Sequence, residues 1–319
     1  MNTMKLPIIN IKNREKSIIL AAFCNASFGI SLVSSLGSLL KNSDRSYHYE
    51  IVVFSYSVPN KTIAWLEKAL SETGRTFTLT LVECSKLNIL PQLINCENWS
   101  VSYLKLLLAE MFPVSDKIIY LDTDIVFYSD IAIFHEQIST SLPITAIQDS
   151  YLKYPSKDEI PLSHASVIDE TGGYFNAGLI GFNFPKWRSE KLSEKLLSYI
   201  DENSSFLPYQ EQTAMNIVLH KRWKRLDDRF NMPAAHFDID QAKSLGINCH
   251  FLGPCKPWLY DKRKNPQALH FYNCLKELGF EKYKPSLLKY LVQIVKADPR
   301  LIGIYVLRKI KTIANLRLH

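Results

Sequence analysis

The chain has 319 residues, of which 47% are hydrophobic and 22% are charged. This balance is typical of a soluble globular protein, excludes a disordered chain, and allows one large α/β domain or two modest ones. Nine of the 38 Lys and Arg residues, but only two of the 31 acids, lie in residues 281–319, so residues 1–280 hold 29 of each. The net charge of +7 therefore belongs to the C-terminal tail. A basic nucleic-acid-binding surface on the main domain is disfavoured, and no nucleic-acid partner is expected.

The six cysteines are scattered, with no Cys-x-x-Cys pair and no Cys/His spacing of a zinc site. This usage predicts reduced thiols in a cytoplasmic protein. Residues 1–16 are polar and charged and lack the apolar core of a signal peptide, so we interpret them as an N-terminal extension. No apolar run approaches the roughly 20 residues of a membrane-spanning helix. The sequence thus predicts a protein that stays on the cytoplasmic side.

Short β-type runs alternate with helical stretches along the chain, which predicts βαβ units around a mostly parallel sheet. Apolar runs predict strands over 18–23, 50–55, 76–82, 117–121, 143–148 and 174–183. Helical periodicity predicts helices over 29–40, 59–70, 102–111, 131–137, 187–200 and 210–220. Residues 149–173 are polar and irregular and are interpreted as a long functional loop. Residues 221–280 are expected to hold loops and short strands.

The strongest local signal is the segment Ile118–Asp124, in which two carboxylates follow a buried strand. Asp122 and Asp124 are separated by one residue, so they point to the same side of the chain. Ligands bind at the carboxyl ends of strands in open α/β sheets, and two oxygen ligands there suit Mn²⁺ or Mg²⁺ bridging phosphate oxygens. A solvated turn after a strand is the alternative interpretation, because Asp-x-Asp is frequent by chance.

Two further segments carry weaker signals. An Asn-Ala-Gly turn at Asn176–Gly178 interrupts an apolar run and would let backbone approach a ligand closely, although small residues in strands usually serve packing. His250 follows a short strand, and Lys256 lies six residues later, where its ammonium could neutralise a phosphate. Trp258 and His270 could form the wall of a sugar site or belong to the core.

In combination these segments resemble glycosyltransferase family 8, which includes bacterial galactosyl- and glucosyltransferases that build the lipopolysaccharide core. The resemblance rests on Leu-Asp-x-Asp at 121–124, Phe-Asn-Ala-Gly at 175–178 and His-Phe-x-Gly-x-x-Lys-Pro-Trp at 250–258, in this order. It implies a GT-A fold, a Rossmann-like α/β nucleotide-sugar domain with a mostly parallel central sheet, which we place at 17–280. It also implies a retaining hexosyltransferase that takes glucose or galactose from a UDP-sugar.

The resemblance implies roles for individual residues as well. The metal, Mn²⁺ or Mg²⁺, would be held by Asp122, Asp124 and His250. Lys256 would meet the diphosphate, and Gly253 would let its loop close over the phosphates. The other residues expected to contact the UDP-sugar are Ala21, Ala22 and Asn25 near the uridine, Lys105 where the family commonly has Arg, and Asn176 near the sugar hydroxyls.

The catalytic residues are expected among Asp149, Glu211 and Gln212. Asp149 matches a family position near the sugar hydroxyls, and Gln212 matches the last residue of a Gln-Asp-Gln segment that lies under the anomeric carbon. Retention could arise by same-face attack assisted by the departing phosphate, or through a covalent intermediate on Glu211 or Gln212. Same-face attack is favoured because a neutral amide is a poor nucleophile. The alternatives are a family member with a protein or capsule-glycan acceptor, and a UDP-sugar-binding protein without catalysis.

Residues 281–319 are interpreted as a basic amphipathic helical tail. Two helices are predicted from Leu287 onward, with apolar stripes bordered by Lys, Arg and Tyr residues. Such helices fit the surface of an anionic leaflet, where a lipid-linked oligosaccharide acceptor would be presented. The protein is therefore expected to be peripheral on the inner face of the cytoplasmic membrane, unless the helices merely pack on the domain.

Overall fold

The computed structural model describes residues 6–11, 14–84, 100–153, 170–203, 207–253, 256–258 and 266–283. Its strands are β1 (Ser17–Asn25), β2 (His48–Tyr56), β3 (Thr76–Glu83), β4 (Lys117–Leu121), β5 (Ile125–Val126), β6 (Ile144–Gln148), β7 (Phe175–Asn183), β8 (Trp223–Arg225), β9 (Met232–Pro233) and β10 (Cys249–His250). Its α-helices are α1 (Gly29–Asn42), α2 (Asn60–Ser71), α3 (Ser100–Tyr103), α4 (Leu108–Met111), α5 (Ile131–Glu136), α6 (Phe184–Ser189), α7 (Leu192–Asn203), α8 (Glu211–Val218), α9 (Ile239–Leu245) and α10 (Pro266–Glu277).

Seven strands form the central sheet, in the order β3-β2-β1-β4-β7-β6-β8. The pairs β1/β2, β1/β4, β2/β3 and β6/β8 are parallel, and β7 runs antiparallel to its neighbours β4 and β6. The predicted mostly parallel sheet is confirmed. Strands β2 and β3 lie on one side of β1 and β4 on the other, so the strand order reverses between β1 and β4. Open α/β sheets bind ligands at such a switch point.

Strand β1 illustrates why the sheet is buried on both faces. Its nine residues form a nearly continuous apolar run, which is typical of a central parallel strand. Leu20 and Ala22 belong to one hydrophobic cluster, together with α1 and α2. Ala21 and Phe23 belong to a second cluster, together with α4. Successive side chains of a strand point to opposite faces, so the sheet is the middle layer of an α/β/α arrangement.

A smaller sheet of three strands, ordered β5-β10-β9, continues from the carboxyl end of β4. Strand β5 begins directly after Asp124 and pairs antiparallel with β10, which places His250 opposite Ile125. The amide of Phe251 donates to the carbonyl of Asp124 at 2.9 Å. These backbone pairings bring the Asp-x-Asp segment and His250 together.

Every strand and helix predicted up to residue 220 has a counterpart in the structure. Two helices differ in form: the predicted helix over 102–111 is α3, a 3₁₀ turn at Leu104–Leu107 and α4, and the predicted helix over 187–200 is divided into α6 and α7. The expectation of only loops and short strands over 221–280 is wrong, because α9 and α10 lie there. Helix α9 begins with a capping box between Asp238 and Gln241 and ends at a left-handed Gly246, which are recognisable sequence signals.

The two ends of the chain are described only in part. Ile9, in the predicted N-terminal extension, is buried, and its amide donates to the carbonyl of Met111 at 2.8 Å. Of the predicted tail, residues 284–319 lie outside the described residues, and with them both amphipathic helices. Among the helices that are described, none combines the length and apolarity needed to span a bilayer.

Four of the six cysteines fall within the described residues, and all four are free thiols in buried positions. They are Cys24, Cys84, Cys249 and Cys274. Burial raises the pKa of each of these thiols. They are therefore protonated at neutral pH, and they pack as small apolar side chains.

Candidate active site

A cavity of about 500 Å³ opens at the carboxyl ends of β1 and β4, where the strand order reverses. Ten residues predicted from the sequence line it: Asn25, Lys105, Asp122, Asp124, Asn176, Glu211, Gln212, His250, Gly253 and Lys256. The other lining residues are Phe23, Phe28, Ser102, Tyr120, Thr123, Ala177, Pro208, Tyr209 and Leu252. Segments far apart in the chain thus converge on one pocket.

The three predicted metal ligands meet in this cavity. One ligand atom each from Asp122, Asp124 and His250 lies within 4.8 Å of the other two. The Nε2 atom of His250 is 3.1 Å from Asp124 Oδ1 and 4.0 Å from Asp122 Oδ2. Asp124 and His250 are buried, and Asp122 is half-buried. Two carboxylates and an imidazole that converge in this way form a donor set that suits a divalent transition metal.

Asn231, which belongs to none of the three sequence motifs, orients the imidazole. Its Oδ1 lies 2.8 Å from His250 Nδ1, and its Nδ2 donates to Asn176 Oδ1 at 2.9 Å, which fixes the direction of the amide. His250 Nδ1 is therefore the donor to Asn231, so Nε2 is the ring nitrogen that faces the carboxylates and the one that would bind a metal ion. Asn176 in turn donates to Asp149 Oδ2 at 3.0 Å. A continuous chain of hydrogen bonds links His250 to Asp149.

Gly178 explains how the Asn-Ala-Gly segment, which lies in strand β7 rather than in a turn, can pass beside the predicted metal ligands. A Cβ atom at this position would lie 2.5 Å from His250 Cε1 and 2.9 Å from Asp122 Oδ2. Both distances are shorter than real Cβ contacts, so only glycine lets β7 pass directly behind these two side chains. The carbonyl of Gly178 also accepts the amide of Asp122 at 2.7 Å. The backbone of this segment thus approaches the predicted metal ligands closely, whereas the sequence had suggested a close approach to a ligand molecule.

Lys105 is fully buried beneath the carboxylates. Its Nζ is 3.0 Å from Glu211 Oε1 and 3.8 Å from Asp122 Oδ1, and it donates to the carbonyl of Ala177 at 3.2 Å. Burial alone would lower the pKa of Lys105, but Glu211 and Asp122 outweigh burial and raise it. The Lys105 ammonium also lies over the ring of Tyr120, whose hydroxyl donates to Asp122. Lys105 is thus the internal counter-ion of the acidic cluster.

Lys256 lies on the other side of the Asp-x-Asp segment. Its Nζ donates to Asp124 Oδ2 at 2.6 Å and also contacts the carbonyl of Phe251. Burial would raise the pKa of Asp124, but Lys256 and His250 outweigh burial and hold that pKa well below its usual value. Asp124 is therefore ionised at neutral pH, as a metal ligand must be. Gly253, three residues before Lys256, has a φ of +78°, and no atom of the described residues lies within 4 Å of where a Cβ would be, so the positive φ rather than crowding favours glycine here.

Glu211 and Gln212 begin α8 at the edge of the cavity. Glu211 is buried, and its Oε2 accepts from the hydroxyl of Ser102 at 3.1 Å. The Oε1 of Gln212 accepts the amide of Ala177 at 2.9 Å. Gln210, directly before the helix, has a φ of 52° and a ψ of −120°, a strained conformation for a residue with a side chain. Such strain costs on the order of 1–3 kcal/mol and is concentrated at functional sites.

Asp149 lies behind the cavity rather than on its wall. Its Oδ2 accepts from Asn176, as above, and lies 3.5 Å from Gln212 Nε2. Its Oδ1 accepts the amides of Tyr151 and Leu152 at 2.9 and 3.0 Å. Asp149, predicted to be among the catalytic residues, is thus placed where it can position Asn176 and Gln212. Asp149 itself lines a neighbouring cavity.

The residues predicted to contact uridine fall into two groups. Asn25 lines the cavity and caps the turn that follows, accepting the amide of Ser27 at 2.9 Å. Ala21 and Ala22 do not line it, because they are buried in the middle of β1 and pair with residues of β4. The side chain of Phe23 lines the cavity instead. Local spacing cannot distinguish these positions, because exposure at a strand end depends on where the neighbouring strands stop.

Comparison with known proteins agrees with this geometry. The model of glycosyl transferase family 8 matches residues 19–262, most of the chain. The protein belongs to glycosyltransferase family 8. The match covers every residue that lines the cavity, and it extends over the central sheet except for the first two residues of β1.

Two curated proteins that are similar in sequence to this family 8 chain are lipopolysaccharide glycosyltransferases. The lipopolysaccharide 1,3-galactosyltransferase of Salmonella typhimurium is 25% identical over 248 residues, which span 73% of this chain and 70% of that protein. The lipopolysaccharide 1,2-glucosyltransferase of Escherichia coli K12 is 27% identical over 207 residues, which span 60% of this chain and 59% of that protein.

Solved structures show the fold of this family 8 glycosyltransferase. The galactosyltransferase LgtC, in complex with donor and acceptor sugar analogs, matches it with a TM-score of 0.63 at 18% identity, over 82% of this chain and 96% of that one. The predicted GT-A fold of the central domain is confirmed. At this identity the likeness concerns the fold alone.

Proposed function

We propose that this glycosyltransferase moves a hexose, glucose or galactose, from a UDP-sugar to a saccharide acceptor with retention of anomeric configuration. The observation that carries the proposal is the convergence of Asp122, Asp124, His250 and Lys256 in one cavity of about 500 Å³. The cavity is of the size that holds a small-molecule ligand. A diphosphate leaving group needs positive charge beside it. Here a cation held by the two carboxylates and the imidazole would supply part of that charge, and the ammonium group of Lys256 would supply the rest.

The donor set fits Mn²⁺ or Mg²⁺, and the imidazole of His250 favours Mn²⁺, since Mg²⁺ prefers oxygen ligands. When bound, the metal would supply Lewis-acid stabilisation of the negative charge on the departing diphosphate. The protein keeps Asp124 ionised and directs Nε2 of His250 toward the site through Asn231. Gly178 provides the room in which Asp122 and His250 approach each other.

Lys256 is proposed to neutralise the diphosphate. Its ammonium donates to Asp124, and a divalent ion ligated by Asp124 would remove the electrostatic reason for that contact. The ammonium would then be available to phosphate oxygens, to which it adapts as a flexible point charge. Its location beside the ligand cluster supports a role in stabilising the leaving group.

The contacts of Glu211 and Gln212 favour same-face attack over a covalent intermediate. A nucleophile needs a free lone pair directed at the anomeric carbon. Glu211 is engaged by Lys105 and Ser102, and the amide oxygen of Gln212 accepts from the backbone of Ala177. We therefore infer that these two residues, with Asp149 behind them, position the sugar while the departing phosphate assists the acceptor.

The acceptor is proposed to be a lipid-linked saccharide of the lipopolysaccharide core type. The support is the similarity to two lipopolysaccharide hexosyltransferases and the basic character of residues 281–319. That tail would hold the protein on an anionic membrane surface, at the cytoplasmic face where a nucleotide sugar is available. Co-sedimentation with anionic liposomes tests this placement: full-length protein should pellet, and a Lys309→Glu/Lys311→Glu variant should pellet less. Equal pelleting of the two proteins contradicts the anchor.

The donor reaction is tested by measuring UDP release from UDP-glucose, UDP-galactose and UDP-N-acetylglucosamine in the presence of Mn²⁺. We expect slow hydrolysis of one hexose donor even without an acceptor. Asp124→Asn should lower that rate by about 100-fold or more, since a charged metal ligand is lost. Asp116→Asn, which removes an exposed acid before β4, is the matched control and should leave the rate unchanged. Equal rates for Asp124→Asn and the control contradict the proposal.

A further inference from the structure

The two carboxylate oxygens of Asp122 lie in different surroundings. Oδ1 accepts from the hydroxyl of Tyr120 and lies 3.8 Å from the ammonium of Lys105. Oδ2 lies on the side of His250, 4.0 Å from Nε2, and a Cβ atom at residue 178 would be 2.9 Å from this same oxygen. Asp122 thus directs one oxygen toward the other predicted metal ligands, while its second oxygen is engaged by the protein.

The backbone explains why Tyr120 meets Asp122. Strand β4 ends at Leu121, and the amide of Asp122 still donates to the carbonyl of Gly178 in β7 at 2.7 Å, so the chain continues in an extended form. Side chains two residues apart in an extended chain point to the same side. The phenol is therefore placed beside the carboxylate by a central strand of the sheet, which is more rigid than a loop.

The ring of Tyr120 is fixed by its neighbours. Only 2% of the residue is exposed. The ammonium of Lys105 lies 4.4 Å from the centroid of the ring, and the ring of Phe23 lies 5.7 Å from it, centroid to centroid. Because the ring cannot swing away, its hydroxyl stays at Asp122 Oδ1. A hydrogen bond to a carboxylate is also among the stronger kinds in proteins.

Lys105 contributes charge at the same oxygen rather than direction. Its distance of 3.8 Å from Asp122 Oδ1 exceeds that of a hydrogen bond, and its ammonium is closer to Glu211, at 3.0 Å. The hydroxyl of Tyr120 is therefore the group that fixes the orientation of the Asp122 carboxylate.

This orientation matters for the coordination of a cation. A carboxylate can bind a metal through one oxygen or through both, and binding through both is frequent for Ca²⁺, whose coordination is flexible. Oδ1 of Asp122 is occupied by Tyr120, so Oδ2 is the oxygen that remains for a cation. A single oxygen from each ligand suits an ion with octahedral geometry and leaves positions for phosphate oxygens.

We propose that Tyr120 is a positioning residue that makes Asp122 offer one oxygen, Oδ2, to a divalent cation. The inference rests on the proposed function, because it needs a cation held by Asp122, Asp124 and His250. Tyr120 acts through Asp122 and is not itself a metal ligand. Its role matches that of Asn231, which holds His250 in the same site.

Electron paramagnetic resonance of Mn²⁺ with the full-length protein tests this proposal through two readouts. The signal of free Mn²⁺ gives the affinity, and the spectrum of bound Mn²⁺ reports the symmetry of its coordination. The test variant is Tyr120→Phe, which removes the hydroxyl but keeps the ring that Lys105 and Phe23 contact. The matched control is Tyr49→Phe, because Tyr49 is fully buried, lies outside the cavity, and donates its hydroxyl to the carbonyl of Asp44 at 2.7 Å.

We expect Tyr120→Phe to weaken Mn²⁺ binding by about 10- to 100-fold, the usual effect of removing a group that holds a metal ligand. The spectrum of the bound ion should also change, since Asp122 can then offer either oxygen or both. Tyr49→Phe should alter neither readout. An unchanged affinity in Tyr120→Phe overturns the proposal. A lower affinity with an unchanged spectrum of the bound ion also overturns it, because the hydroxyl would then serve only stability, which thermal unfolding measures.

The wild-type protein in the same experiment separates this inference from the proposed function. If the wild type and Tyr120→Phe bind Mn²⁺ equally well, the positioning role is wrong and the metal site stands. If the wild type does not bind Mn²⁺, the metal site of the proposed function fails, and the role of Tyr120, which depends on it, fails as well.

Discussion

Two lysines flank the Asp-x-Asp segment, and the protein holds them in different ways. Lys105, from below, contacts Glu211 and Asp122, donates to a carbonyl and lies over an aromatic ring, with 2% of its side chain exposed. Lys256, from the loop after β10, contacts Asp124 and one carbonyl, with 13% of its side chain exposed. The buried lysine thus fixes the acids, and the smaller number of contacts at the loop lysine supports the proposal that it exchanges its carboxylate for a ligand.

The largest effect on stability is expected when the buried lysine is removed. Lys105→Met leaves Glu211 buried beside Asp122 without its counter-ion, and breaking a buried ion pair costs about 3–5 kcal/mol. Urea or thermal unfolding measures this loss. Lys256→Met, with fewer contacts to lose, should cost less than about 2 kcal/mol. Similar losses for the two variants would erase the distinction between the lysines.

Removal of the loop lysine should show in catalysis instead. Lys256→Met removes the positive charge that is proposed to lie beside the leaving group. This change should lower the rate of UDP release by about 100- to 1000-fold. Lys256→Arg keeps the charge and should retain more of that rate than the methionine variant. If the methionine variant loses activity but unfolds close to the wild-type temperature, the role of Lys256 is in catalysis and not in stability. A Lys256→Met protein with the wild-type rate would show that the lysine only supports Asp124.

A smaller effect is expected from Asn231, which contacts the proposed metal ligand His250 and not the leaving group. Asn231→Ala removes the acceptor for His250 Nδ1 and should weaken Mn²⁺ binding by about 10- to 100-fold. Electron paramagnetic resonance of free Mn²⁺ measures the affinity directly. Asn231→Asp restores an acceptor for His250 Nδ1 but sets a carboxylate oxygen against Asn176 Oδ1, so it should recover only part of the affinity. An unchanged affinity in the alanine variant would mean that the imidazole is held without this hydrogen bond.

The smallest effect is expected at Glu277, which is partly exposed. Burial would raise its pKa, but hydrogen bonds from Lys243 and Lys41 outweigh burial and lower the pKa to about 2. The ionised group therefore stabilises the fold above its ordinary pKa, and this stability is lost as pH falls toward 2. Glu277→Gln should cost no more than about 1 kcal/mol at pH 7.

Urea unfolding of the Glu277→Gln variant and the wild-type protein across pH checks this prediction. The difference between the two proteins should shrink as pH falls from about 4.5 to about 2, because the wild-type carboxylate becomes protonated over that interval. A difference that stays constant with pH would assign the effect of the substitution to packing rather than charge.

Much of the fold and the centre of the site can be predicted from the sequence, because the signals for them lie in residues that are neighbours along the chain. The apolar run before Asp122 makes a central strand, and the acids that follow must lie at its carboxyl end. The role of Asn231 has no such local signal, because it exists only through the pairing of β9 with β10, which brings Asn231 beside His250. Tertiary pairing likewise decides that Phe23 rather than Ala21 meets the cavity.

The central claim, a metal-dependent site for UDP, is tested most directly by calorimetric titration of UDP into the full-length protein. The titration is done with Mn²⁺ and again with EDTA, for the wild type and for Asp124→Asn. We predict binding by the wild type with Mn²⁺ and a loss of about 100-fold or more in affinity with EDTA or in the variant. UDP binding that is equally tight with EDTA, or no binding by the wild type with Mn²⁺, would contradict the claim.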